Sequence, residues 1–393
     1  KNNETPKGPS ENLDVSVEVV EDCDGESVIP KIEGLKFNKS TGIIEIPKDK
    51  LLINNVYPSL TFRLSYIDPA QDPVIDPQNP TAPPKKKPIV NCISDRFSIR
   101  PEKFMMYNTS SGSFLSDSDL QNLIGGRNYT KTGAVAVFNK NNIATGYTRI
   151  LETKSTEIAP GKEPALDIVQ FESTPSEICK DNISSSVLSE IAGHKISADF
   201  NMGKAKFYKS GAINFSYPDI GPAKFTLQDS SFTLVDRASG DCIAGSDSTT
   251  PNTEGKIGCD IKSTFDFTFL PNDILIDNVT VSNFANNMTY TSSDPGMYAK
   301  VLFNAQARID DVAKSIARLY TENCYAKNVN FTLDIDQLIP EYTIDNNGNN
   351  ITDIAQLRND LLFFDDTTNL DIKKTTTGTG GAGQYQILNT AFS

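Results

Sequence analysis

The sequence predicts an all-β fold: tandem immunoglobulin-like β-sandwich modules with long loops and few short helices. Three observations carry this expectation. Apolar and polar residues alternate in short runs, as in LDVSVEVV and LTFRLSYI, which is the period-two pattern of half-buried antiparallel strands. Turn-forming Asn, Ser, Thr and Asp separate those runs at intervals of about ten residues. Finally, 21 Phe and 13 Tyr supply core material to a chain that is only 38% apolar, which argues against disorder.

The first module is expected over residues 1–94. Leu13, Val15, Val17 and Val19 share one strand face, and NKSTG separates later runs as a turn. A proline-rich strap follows at 67–90. Its seven prolines from Pro69 to Pro88 forbid regular strand or helix there, so it reads as a long exposed loop. Lys85, Lys86 and Lys87 form the one basic run and read as solvated. A ligand for a proline-reading domain is the less favoured reading.

The central module is expected over 95–262. It opens with DRFSIRPEKFMMY, in which Phe97 and Ile99 precede the break at Pro101. In the next run Ala134, Ala136 and Phe138 alternate against Val135 and Val137. Between Asp95 and Asp236 there are about seven strand candidates, enough for one sandwich.

The third module, 263–393, echoes the second at an offset of about 170 residues. DFTFLPNDI from Asp266 repeats the strand–proline–strand order of DRFSIRPEKF, and MYAKVLFNAQA echoes KTGAVAVFN. Relative to the central module it reads as incomplete, because QILNTAFS stops where the first copy continues into MGKAKF. A cut chain accounts for this; so would donation of the missing strands by a neighbouring chain. The best helix candidate, ITDIAQLRNDLLFFDD, has Thr352 as N-cap and Ile354, Leu357, Leu361 and Leu362 on one face.

Charge and cysteine usage narrow the function classes. A net charge of −13 repels phosphates, so nucleic acid and anionic lipid are not expected as partners. No apolar run reaches the length of a membrane span. The start at Lys1 reads as a removed leader or an excision from a longer chain. The six cysteines, Cys23, Cys92, Cys179, Cys242, Cys259 and Cys324, contain no CxxC pair, and the chain has one histidine, His194. Zinc and thioredoxin-like chemistry therefore fail on ligand supply and spacing, while disulfides in an oxidising compartment fit. Cys242 and Cys259 enclose a turn-rich stretch that a bridge could staple. Cys23 and Cys92 would bracket the first module, leaving Cys179 with Cys324, although six cysteines allow fifteen connectivities.

Catalytic signals are weak, and no enzyme activity is expected. His194 lies at a strand entry with no GxSxG nucleophile anywhere, so it reads as a structural histidine. TGTGGAG at 377–383 precedes a strand rather than a helix and reads as a loop. The paired acids Asp22/Asp24, Asp310/Asp311 and Asp365/Asp366 read as surface carboxylates. One constellation has ligand spacing: Asp345, Asn347, Asn349 and Asp353 occupy positions 1, 3, 5 and 9 of an EF-hand-like loop, with Gln356 at position 12. Calcium binding there competes with an Asn-Gly hairpin turn, which explains the same residues without metal.

Over residues 90–340 the chain resembles the MshQ-like proteins of MSHA-type pilus systems. The resemblance rests on Ser94, Asp95, Phe97, Ile99, Arg100, Pro101 and Phe104, and on FNMGKA at Phe200–Ala205. FSYPDIGPAKFTLQDSSFTLVD at Phe215–Asp236, DCI at Asp241–Ile243 and GKIGCDI at Gly255–Ile261 are similar too. So are FLPNDI, NNMTYTSSDPGMYAKVLFNAQA and NCYAKNVNFTL further on. Phe232 stands where that family has Trp. The resemblance implies Ig-like modules of an exported bacterial surface protein. Within the shared corner, Tyr217 is expected to dock its hydroxyl on backbone as a tyrosine corner does, and Gly221 to permit the turn.

These readings converge on a secreted or cell-surface structural or adhesive protein, part of or attached to a pilus or filament. Its partners would be other surface or pilus subunits, reached by strand exchange, and a host or surface ligand that the sequence does not identify. A secreted carbohydrate-binding or glycan-processing sandwich is the alternative. The lack of tryptophan counts against it, so tyrosines would have to form the sugar platform.

Overall fold

Alternation of valine with polar residues makes β1 (Leu13–Val20) a strand with one apolar face, and it pairs antiparallel with β2 (Ile32–Phe37) and β3 (Tyr57–Tyr66). In this computed structural model the described residues are 13–38, 41, 43–74, 83–138, 142–156, 165–173, 185–191, 194–283, 298–310, 312–313, 315–320, 324–325, 384–386 and 390–391. They form tandem all-β, sandwich-type modules built mainly from antiparallel sheets.

The first sheet has the order β2-β1-β3-β4, with β4 at Ile89–Cys92 and β5 at Phe97–Ile99, which pairs with β3. Register places Val15, Val17 and Val19 opposite Tyr66, Leu64 and Phe62, so their side chains share one face. Ser16, Glu18 and Val20 face the other way with Ser65, Arg63 and Thr61, and Glu18 pairs with Arg63 at 3.0 Å. The apolar face is covered by Ile29 and by the irregular segment carrying Ile44, Ile46, Leu51 and Ile53. Among the described residues this module is one sheet under an irregular cover. The expected pair of sheets is not found there, because that segment has too few paired residues to build a second one.

The central module holds β6 (Lys103–Asn108), β7 (Leu123–Ile124), β8 (Thr132–Phe138), β9 (Asn142–Ile143), β10 (Arg149–Glu152), β11 (Lys154–Thr156) and β12 (Ala165–Glu172). After helix α1 (Ser185–Ile191) come β13 (His194–Lys195), β14 (Ser197–Asn201), β15 (Lys204–Lys209), β16 (Ala212–Ile213) and β17 (Gly221–Asp229). Helix α2 (Leu234–Ser239) and β18 (Ile261–Leu270) complete it. One sheet runs β10-β14-β15-β8-β6, and the facing one β11-β12-β17-β18-β7. Their inner faces meet through aromatic rings. Phe171 lies within 6 Å of the ring centres of Phe215, Tyr217, Phe225, Phe267 and Phe269, and Phe207 meets Phe225 edge-on across the sandwich at 5.3 Å. Phe232 is buried against Tyr147 at 5.3 Å with Arg149 over its ring.

The last sheet joins β19 (Asp273–Asn283), β20 (Tyr298–Ile309), β21 (Ser315–Ile316), β22 (Gln384–Gln386) and β23 (Thr390–Ala391), all paired on β20 directly. The repeat seen in the sequence has a structural counterpart. β6 pairs antiparallel with β8, and β19 with β20, each entered through a proline from the last strand of the preceding sheet.

The sheet changes fall elsewhere than residues 94/95 and 262/263. Phe97 pairs with Leu60 and stacks on Phe62 at 5.1 Å, so β5 closes the first sheet and the change comes at Pro101. β18 pairs with β17 without interruption from Ile261 to Phe269, so the second change comes at Pro271. In both cases apolar side chains hold the strand to the earlier core until proline removes a ladder donor.

Candidate functional site

Four places gather chemistry: the two module junctions, a polar clasp inside the central sandwich, and a groove on the first module. The first junction is built on α2 and the disulfide loop. Ser98 of β5 donates its N–H to Asp236 Oδ1 at 3.0 Å and its hydroxyl to Oδ2. Burial raises Asp236 above the ordinary carboxylate range, and the two Ser98 bonds oppose that rise. Arg100 reaches the carbonyls of Asp260 and Ser248, each at 3.3 Å. Arg237 and Asp260 form a buried ion pair, and Thr233 Oγ1 donates to the Cys259 carbonyl at 2.7 Å. The Cys242–Cys259 bridge pins this loop. The motifs DRFSIRP, DCI and GCDI therefore meet in one place.

At the second junction the PDIG corner receives a segment from beyond β20. Asp219 is fully buried. Its carboxylate accepts from Ile220 N at 3.0 Å, Leu319 N at 3.1 Å, Arg318 N at 3.2 Å and Arg318 Nε at 3.1 Å. Burial raises its pKa, while those bonds and the arginine pull the other way. Arg318 also meets Glu190 at 2.6 Å. Ala307, Ile309, Ala317, Leu319 and Tyr320 enter the central core, so the third module contributes to the second module's packing. Gly221 has φ +101°, and a Cβ there would come within 2.3 Å of the Tyr325 ring, so the expected glycine requirement is real on both counts. The tyrosine-corner expectation is corrected: Tyr217 is buried, yet its hydroxyl bonds to no backbone group. Its ring packs against Phe171 and Phe269, and burial pushes its pKa up, with Ser173 as the opposing polar neighbour.

Other tyrosine hydroxyls are bonded: Tyr129 Oη accepts from Ile124 N at 2.6 Å, and Tyr147 donates to Asp229 Oδ2 at 2.5 Å inside the sandwich. Asp229 Oδ1 accepts from Ser231 N and Phe232 N, both at 2.9 Å. Asp167 accepts from Ser230 N at 2.9 Å, and the Ser231 hydroxyl lies within hydrogen-bond reach of both carboxylates. Arg149 Nε lies 3.3 Å from Asp229, an ion pair not aligned as a hydrogen bond, and its Nη2 donates to Ser231 at 2.6 Å. Both aspartates are fully buried. Burial and the neighbouring Asp229 charge raise Asp167. This polar network joins β12, the β17 end and β10, and both of its aspartates are hydrogen-bonded.

His194 is buried beside Phe171, with Lys209 Nζ 3.3 Å from Nδ1. Burial and that lysine draw its pKa down to about 4, which keeps the ring neutral at pH 7. Cys23 bonds Cys92, and Cys242 bonds Cys259, as the sequence suggested. Cys324 is also disulfide-bonded, while Cys179 lies outside the described residues. So do Asp345, Asn347, Asn349 and Asp353, the helix candidate and the 377–383 loop. Among the described residues no group of three His, Cys, Asp or Glu could hold a metal ion, and no helix is long and apolar enough to cross a membrane. The strap closes on itself: Val74 and Lys85 exchange backbone bonds at 3.0 and 3.1 Å, and Lys86 donates to the Pro69 carbonyl, so part of the basic run is anchored.

The groove, of about 710 Å³, crosses the end of the first sheet. It is lined by Leu13, Val15, Phe37, Ile44, Leu64 and Tyr66, with Asp68 and Asn91 at one side. Every tyrosine whose side chain is described is buried or half-buried, so none forms an open stacking platform. No family model matches the chain, and neither a curated protein nor a solved structure does.

Proposed function

We propose that the chain is a secreted or surface-exposed structural and adhesive protein, part of or attached to a pilus or surface filament. The observation that carries this reading is the way the modules are coupled. Strand, proline and next strand follow without a free linker, and each junction is closed by a buried or half-buried aspartate of the central module. Such coupling suits a protein that must hold its modules in series outside the cell. Two established disulfides fit an oxidising location. The resemblance to MshQ-like proteins supports the same reading, since its motifs coincide with the junctions. Other surface or pilus subunits are the partners it implies.

The test is localisation on the cells that produce the protein. Antibody should label intact cells, and brief external protease should remove the label. Labelling that needs permeabilised cells would overturn the proposal.

A further inference from the structure

We propose that the two module junctions are copies of one plug-and-socket joint, and that each socket accepts only its own plug. The partner that fits the Asn55 socket of the first module is the glycine-bearing turn of the second. The partner that fits the Asp219 socket of the second module is the arginine-bearing turn of the third.

The sockets match atom by atom. In the first, Asn55 Oδ1 accepts from Val56 N at 2.9 Å and from Gly146 N of the following module at 2.7 Å. In the second, Asp219 Oδ1 accepts from Ile220 N at 3.0 Å and from Leu319 N of the following module at 3.1 Å. Val56 and Ile220 are both buried in the central core. Each socket leads directly into a strand, β3 at Tyr57 and β17 at Gly221. Tyr57 pairs with Ile99 and Gly221 with Phe269, and the crossing proline lies two residues beyond each partner, at Pro101 and Pro271.

The plugs match as well. ATGY at 144–147 and ARLY at 317–320 are each closed by a backbone bond from tyrosine N to alanine O, at 2.9 and 3.2 Å. The alanine N donates in turn to an alanine carbonyl of the corresponding strand, Ala136 of β8 at 2.9 Å and Ala307 of β20 at 2.8 Å. Tyr147 and Tyr320 are both buried in the central core.

The keys differ. The first socket has an uncharged acceptor and little room. A Cβ on Gly146 would lie 2.5 Å from Val56 O and 2.9 Å from Asn55 Oδ1, so leucine at that place is shut out. The second socket is charged. Its fully buried Asp219 is met by Arg318 N at 3.2 Å and Arg318 Nε at 3.1 Å, and Leu319 is fully buried in the core beside it. A Thr-Gly plug there would leave a buried carboxylate without its cation and a hole where leucine packs. Each wrong pairing carries its own penalty, which is how similar surfaces are kept apart. Tandem modules of one chain are prone to misassembly, and the two keys fix their order.

The test is hydrogen exchange on the whole oxidised chain. Ala144 and Tyr147 report the first joint, Ala317 and Tyr320 the second, and the β17–β18 amides serve as reference. Gly146→Ala should speed exchange at Ala144 and Tyr147 about tenfold and leave the second joint unchanged, although alanine is the stiffer residue. Arg318→Thr should open the second joint about tenfold, because Asp219 stays buried without its cation. Made on top of Asp219→Asn, the same change should cost less than about threefold, since an amide acceptor needs no cation, as Asn55 illustrates. A tenfold cost in both settings would overturn the key of the second joint, and unchanged exchange at Tyr147 in Gly146→Ala that of the first. Loss of β17–β18 protection together with a joint would also overturn the proposal, because a keyed joint opens without the sandwich. Surface labelling of cells is a separate measurement, and its failure would leave the joint standing.

Discussion

Replacing Asp219 by alanine removes the acceptor that ties the third module's segment to the central corner. Four donors lose their partner: Ile220 N within the corner at 3.0 Å, and Leu319 N, Arg318 N and Arg318 Nε of the third module's segment at 3.1 to 3.2 Å. Hydrogen bonds to a charged acceptor contribute about 1.5–3 kcal/mol each, and the buried Leu319 N–H is left without compensation. Two effects reduce the total. Arg318 keeps Glu190 and is about a quarter exposed, so water replaces part of its loss, and the substitution removes a carboxylate whose burial is itself costly. The expected net effect is about 3 kcal/mol, or roughly a hundredfold more frequent opening of residues 317–320. Hydrogen exchange reads this cleanly at two amides whose own acceptors survive the change. Ala317 N donates to Ala307 O at 2.8 Å, and Tyr320 N to Ala317 O at 3.2 Å. Both should exchange much faster, while the β17–β18 amides stay protected. Unchanged protection at Ala317 and Tyr320 would refute the role assigned to Asp219.

Two further outcomes follow from the central clasp. Tyr147→Phe keeps the ring against Phe104, Phe200 and Phe232 but removes the 2.5 Å bond to Asp229. It should lower stability by about 2 kcal/mol in urea unfolding, and a loss under about 0.5 kcal/mol would contradict the network reading. Asp167 titrates above its ordinary value of 3.8 in the folded chain, so its contribution is fully present below that value and is lost as pH rises through the raised one. Glu18, which the Arg63 hydrogen bond holds below its ordinary 4.5, acts oppositely: its contribution is present above 4.5 and lost on further acidification. His194, drawn down from 6.5 to about 4, adds stability as pH rises across that interval, so the Asp167 contribution is read as a difference: the thermal stability of Asp167→Asn relative to the native chain should increase as pH is raised from just above 4 towards 7. A difference that stays constant with pH would exclude the role assigned to Asp167.

Much of the fold was legible because it is written locally. Alternation at Val15, Val17 and Val19 marks a strand face wherever that strand ends up, and the enclosed turn between Cys242 and Cys259 marks a short bridge. Gly221 was legible as a backbone requirement, although only the fold reveals Tyr325 against it. The rest depended on partners far along the chain. Phe97 looked like the opening of the second module because the pattern changes at Asp95 and DRFSIRPEKF resembles a module-opening element, yet stacking on Phe62 assigns it to the first. Asp219 and Leu319 are 100 residues apart, and Asp167 and Ser231 are 64 apart, so no local pattern announces either contact. Tyr217 was chosen as the docked hydroxyl by its place beside the corner, whereas Tyr147 found the buried acceptor. The groove left no trace in the pattern either, since its apolar lining reads like ordinary core.

The two proline crossings have a mechanical consequence. Tension arriving from the first module enters the central one at Lys103 and leaves it at Leu270, so the load falls on β6 and β18. These strands sit in opposite sheets and meet where Phe104 N donates to Ser263 Oγ at 2.9 Å. Their ladder bonds run crosswise to the strands, six residue pairs to β8 and nine to β17. A pull along the strands therefore strains each ladder as a set, whereas a peeling force would open it bond by bond. Single-molecule extension should accordingly show the central module yielding in one abrupt step, and gradual lengthening at low force would contradict this account of how the module bears load.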